Sequence, residues 1–90
     1  MQEYILDGAK MTDRSAAHTH MAEVFEFPDW YGKNLDALWD LLCEKPVRFV
    51  VHIINWSQAE EGLEEYADKL MELFGDLVEE EEEFSFDVAD

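Results

Sequence analysis

The chain has 90 residues, 48% hydrophobic and 13% aromatic, with 23 acidic against 6 basic residues and a formal charge of −17. That is enough apolar material for one domain over residues 1–90 with a real core, which argues against disorder, and a surface that nucleic acid and anionic membranes would repel. No apolar run reaches the ~20 residues of a membrane span, MQEYILDG does not read as a secretory signal, and the one cysteine, Cys43, allows no internal disulfide and suits a reducing cytoplasm.

The opening EYILDG reads as a short strand closed by the turn signal Asp7-Gly8. Thr12 or Asp13 can cap a first helix, along which Ala17, Met21, Val24 and Phe25 recur at helical spacing before Pro28 stops it. Gly32 breaks the chain again, and Asn34 caps a second helix whose apolar stripe is Leu35, Leu38, Trp39 and Leu42, with Pro46 after its end. VRFVVHIINW, rich in β-branched and aromatic residues, suits a strand buried on both faces. SQAEEG reads as a short helical turn. Residues 63–80 follow as a long amphipathic helix that buries Leu63, Ala67, Leu70, Phe74 and Leu77. Gly75 inside it costs about 1 kcal/mol relative to alanine, which points to close packing or local bending there. In EFSFDVA, Phe84, Phe86 and Val88 alternate as in a strand.

The order is therefore βααβααβ. Strands separated by helical stretches favour parallel pairing, so the expected α/β fold is a small three-stranded parallel sheet packed with about four helices. The glutamate run 79–83 joins the last helix to the last strand as a solvated surface.

Charge is uneven along this order: residues 1–56 carry −4 and residues 57–90 carry −13. Acidity of this kind either keeps the protein soluble or attracts and steers a basic protein partner.

Chemistry other than binding finds little support. His18 and His20, two apart on a helix, point about 200° away from each other, and no Cys/His spacing of a zinc site exists. The acid clusters lack the alternating ligands and central glycine of a calcium loop. Nothing local activates Cys43, and no glycine loop could cradle a phosphate. The expectation is a protein that is not an enzyme and uses no cofactor or metal.

DWYGKNLDALWDLL is different. Stepping from Leu35 by 100° per residue, Asp36, Asp40 and Cys43 fall on one flank of the helix, with Trp39 between them and the core. Asp36 and Asp40 sit one turn apart with no cation between them, a repulsion of roughly 0.2–0.5 kcal/mol. Trp30, Tyr31 and Gly32 precede the helix, and the last helix presents Glu65, Asp68, Glu72, Asp76 and Glu80 at spacings of three and four. Either the aromatics are core and the acids solvated, or this is a face with aromatic anchors and charge complementary to a basic partner.

FPDWYGKNLDALWDLL resembles the signature of the barstar family, cytoplasmic inhibitors of barnase-type extracellular ribonucleases. The family pattern is carried by Pro28, Tyr31, Gly32, Asn34, Leu35, Asp36, Ala37, Leu38, Trp39 and Asp40. The resemblance implies a bacterial toxin-immunity role, in which the second helix and its preceding loop plug the active site of a guanyl-specific ribonuclease. It implies that Asp40 is the main inhibitory carboxylate, occupying a phosphate site, and that Asp36 supports it. Trp30 would pack against a catalytic histidine, and Asp76 and Glu80 would meet enzyme arginines. The expected partner-binding set is thus Trp30, Gly32, Asn34, Asp36, Ala37, Trp39, Asp40, Cys43, Asp76 and Glu80, on a chain monomeric when free. The other reading is an acidic adaptor module of the same fold with a basic partner that is not a ribonuclease. Lys33, a cation inside the loop, and CEKP after the second helix depart from the pattern.

Overall fold

In the computed structural model, which describes residues 2–44 and 48–90, the strands β1 (Gln2–Asp7), β2 (Phe49–Ile54) and β3 (Phe84–Val88) form one parallel sheet in the order β1-β2-β3. Parallel neighbours cannot be joined by a tight turn, so helices fill both connections. The first carries a 3₁₀ turn (Gly8–Lys10), α1 (Arg14–Phe25) and α2 (Leu35–Cys43); the second carries α3 (Trp56–Leu63) and α4 (Glu65–Glu80). This is the βααβααβ α/β fold expected from the sequence.

The register places Tyr4, Val51 and Phe86 in one row and Leu6, Ile53 and Val88 in the next. Leu6, Phe49, Val51, Ile53 and Phe84 are buried beneath the helices, against Leu38 and Leu42 of α2 and Leu70, Phe74 and Leu77 of α4. Burial along β2 alternates rather than staying continuous, which corrects the expectation of a strand covered on both faces. Its other face, with Val50, His52 and Ile54, is open, because the helices cover one side only; Ile5 beside it is 57% exposed. In the middle of this open face the His52 ring bonds Glu3 Oε1 at 3.0 Å and Asp87 Oδ2 at 2.7 Å, tying the three strands together. These two bonds, that to Glu3 first, raise the His52 pKa. On β3 the alternation fades: Phe84 is buried, Phe86 half-buried and Val88 42% exposed.

Helix ends follow local chemistry. Asp13 Oδ1 accepts from Ala16 N at 2.7 Å and caps α1, and Asn34 Oδ1 accepts from Ala37 N at 2.8 Å and caps α2. The α2 terminus is otherwise as expected, though Pro46 lies outside the described residues. The second helical pair departs from the sequence reading in three ways. SQAEEG belongs to a full helix that begins at Trp56, a residue assigned to the strand. Leu63 ends that helix instead of opening the next. Glu64, at φ 54° and ψ −125°, turns the chain into α4. The apolar period runs unbroken through this point, so no periodicity argument detects the corner. Tertiary packing sets it: a Cβ at Gly62 would collide with the Thr12 backbone, and that close approach seats α3 against the end of the 3₁₀ turn.

Gly75 does not serve close packing, one of the two roles expected of it, since a Cβ there would meet nothing within 4 Å. Gly75→Ala should therefore stabilise the protein by about 0.5–1 kcal/mol through helix propensity alone. Chemical denaturation of the two proteins measures this; an unchanged or lowered midpoint would mean that the glycine is needed for the shape of α4.

Candidate partner-binding face

The loop between α1 and α2 is the most exposed aromatic part of the molecule, and its two neighbouring aromatics have opposite fates. Trp30 is 73% exposed, whereas Tyr31 is 6% exposed. Tyr31 is held from below. Its hydroxyl lies 2.7 Å from His18 Nδ1, and His18 Nε2 lies 2.7 Å from the Tyr66 hydroxyl, so one buried imidazole on α1 joins the loop to α4. Arg14 covers the Tyr66 ring at 4.5 Å from its centroid. A neutral imidazole offers one donor and one acceptor, which matches two hydroxyls of which one accepts and the other donates. Burial, followed by the charge of Lys33, lowers the His18 pKa; burial raises that of Tyr31. His20 leaves α1 in another direction and accepts from Asp7 N at 2.9 Å, so the two histidines diverge as their spacing requires.

Beyond Tyr31 the chain enters α2 through Gly32 and Asn34, both exposed. The Asn34 side chain closes this corner twice, capping Ala37 N and donating from Nδ2 to Gly32 O at 3.3 Å. A Cβ on Gly32 would stand 3.2 Å from that Nδ2 and 3.5 Å from Ala37 Cβ, so glycine leaves the cap room. Asn34, Gly32 and half-buried Ala37 thus have positions explained by the loop-to-helix turn itself.

The structure brings the remaining residues of the sequence-derived set together on α2 and α4. Asp36 and half-buried Trp39 line a groove of about 410 Å³ with Leu35 on one side and Lys69, Glu72, Leu73 and Asp76 on the other. Asp40 is exposed, one turn further along α2. Cys43 is half-buried beside it; its thiol pKa is raised by burial and then by the negative charges of Glu81, Asp40 and Glu80, the groups gathered around it. Asp76 and Glu80 are exposed on α4. Lys69 shares the groove with Asp36 and Asp76, a cation that the reading of α2 by itself did not anticipate. Among the described residues, neither Asp36 nor Asp40 has an ion-pair partner within 4.0 Å. The sequence reading missed His18 and Tyr66 as supports of the loop. They lie 48 residues apart, and only the tertiary fold joins them.

A family model described as Barstar (barnase inhibitor) matches residues 1–89, and the chain belongs to that family. A Bacillus subtilis (strain 168) protein named "Putative ribonuclease inhibitor YrdF" is 34% identical to it over 83 residues, 89% of each chain.

Because the folded protein lowers the His18 pKa, the bridge contributes its full stability above the ordinary histidine value of about 6.5 and loses it as pH falls toward the lowered value. His18→Gln should cost about 1–3 kcal/mol at pH 7.5. The gap to the parent should narrow between pH 7.5 and 5.5. Denaturant titrations of both proteins across this range test it; a gap that stays constant or widens on acidification would show that His18 is not held neutral.

Proposed function

We propose that the protein is an intracellular inhibitor of a basic, barnase-type ribonuclease, and that it blocks the enzyme's active site with α2 and the loop before it. Membership of the barstar family and the name of the B. subtilis relative support ribonuclease inhibition as the activity. The observation that carries the mechanism is the set of exposed carboxylates, Asp36 and Asp40 on α2 with Asp76 and Glu80 on α4, none with an ion-pair partner within 4.0 Å among the described residues, together with a tryptophan that is 73% exposed in the loop leading into α2.

An enzyme that cleaves RNA offers cations where phosphates bind. Carboxylates arranged on a rigid helix can fill such positions without being cleaved. Asp40 is the residue proposed to occupy a phosphate site, with Asp36 beside it and Asp76 and Glu80 facing arginines at the rim. Trp30 is the anchor that packs on the enzyme surface, where aromatic residues contribute most per contact. Trp39 backs both aspartates; Gly32, Asn34 and Ala37 hold the corner from which they project. Cys43 lies at the edge of the contact. The roughly 0.2–0.5 kcal/mol of repulsion between Asp36 and Asp40 in the free protein is released when enzyme cations approach. The net charge of −17 accelerates encounter with a basic enzyme, an attraction that falls off over about 8 Å at physiological salt. Inhibition of this kind needs no cofactor and one copy of each protein, and it suits a cell that must survive its own ribonuclease.

Asp40→Ala should leave the unfolding midpoint unchanged or slightly raised while weakening inhibition by about 2–5 kcal/mol, the usual cost of truncating one member of a desolvated charge pair. Trp30→Ala should weaken inhibition, also without loss of stability. A panel of barnase-type ribonucleases assayed with parent and variants measures both. An Asp40→Ala protein that is unfolded, or that inhibits as well as the parent, would sink the mimicry reading. Binding to a basic protein but to no ribonuclease of the panel would favour an adaptor role.

A further inference from the structure

The loop that carries Trp30 holds one cation, and the fold keeps it there at a cost. Lys33 has φ 53°, in the left-handed region that a residue with a Cβ seldom occupies. It lies three residues after Trp30 and three before Asp36, exposed between the exposed Gly32 and Asn34. Its Nζ reaches Thr19 Oγ1 at 3.5 Å, the outer limit of a hydrogen bond. Glu23 and Asp29 line the same cleft between α1 and the loop, about 300 Å³ over an apolar floor that includes Phe27 and Tyr31. Even so, among the described residues no carboxylate lies within 4.0 Å of Lys33. This cleft shares no residue with the acidic groove between α2 and α4.

We propose that Lys33 is a specificity-determining residue, which pairs with a carboxylate on the target ribonuclease at the edge of its basic active site. The inference rests on the ribonuclease-inhibitor reading. An ammonium held in the middle of a contact surface discriminates by what it excludes. Against an enzyme that is cationic throughout the contact it is buried opposite like charge, a penalty that the other contacts must overcome. Against an enzyme carrying an Asp or Glu at that point it is satisfied. General acidity brings the protein to any basic surface, and Lys33 narrows the choice among them.

The test exploits a difference in sign. Lys33→Asp and Lys33→Asn both introduce residue types that tolerate the left-handed conformation, so neither strains the loop. Lys33→Asp moves the net charge from −17 to −19. If long-range attraction were all that mattered, this variant would associate faster and bind a basic ribonuclease more tightly. The proposal expects the reverse. For the ribonuclease of a barnase-type panel that the parent binds most tightly, Lys33→Asp should bind at least tenfold more weakly through faster dissociation. Lys33→Asn should fall between the two, with unchanged thermal melts. Reversing the opposing enzyme carboxylate to lysine should restore affinity to Lys33→Asp. Equal or tighter binding by Lys33→Asp, to an enzyme whose capture Asp40→Ala abolishes, overturns the role of Lys33 and leaves the inhibitor reading standing. A parent protein that binds no ribonuclease of the panel overturns both.

Discussion

The loop of the candidate face is held in place by one buried imidazole. His18 is 1% exposed and bonds a tyrosine hydroxyl through each ring nitrogen, one from the loop before α2 and one from α4. A polar group this deep costs several kcal/mol if left without partners, so its two bonds specify a single arrangement of loop, α1 and α4. The loop cannot drift without breaking a buried bond. Trp30, on the residue preceding Tyr31, therefore stands out from a fixed base.

Two histidines respond to pH in opposite senses. His18 is buried and neutral, and acid works against it. His52 lies between Glu3 and Asp87 on the open face of the sheet; its raised pKa makes its contribution full below the ordinary histidine value and lost as pH rises through the raised one. One holds the loop before α2 and the other holds the strands. Mild acidification thus loosens the support of the loop while strengthening the lacing of the sheet.

Much of the architecture was legible because its determinants are local. Asn34 is a cap by side-chain chemistry, Leu38 and Leu42 are core by spacing, and β-branched runs mark the strands. The exposed flank of α2 followed from the same 100° steps that bury its stripe. What escaped was set by contacts between segments far apart in sequence. The corner at Glu64 exists because Gly62 meets Thr12, some fifty residues earlier. The open face of β2 was hidden because Val50, His52 and Ile54 are as suited to a half-buried position as to a covered one. The apolar stripe of α1 is interrupted by two buried histidines, whose partners Tyr66 and the Asp7 amide no period could reveal. Lys69 entered the acidic groove from α4, out of sight of any argument made on α2 alone.

The tryptophans occupy three graded environments: Trp30 almost fully in solvent, Trp39 half-buried between α2 and the acidic groove, and Trp56 buried at the start of α3. The chain consequently carries its own spectroscopic reporters. Red-edge emission, open to aqueous quenchers, belongs to the indole at the tip of the loop. The short-wavelength component belongs to the core. A molecule that docks on the loop will shift and shield the first without disturbing the second, whereas unfolding moves both, so a fluorescence spectrum distinguishes occupancy of the face from loss of the fold without any added label.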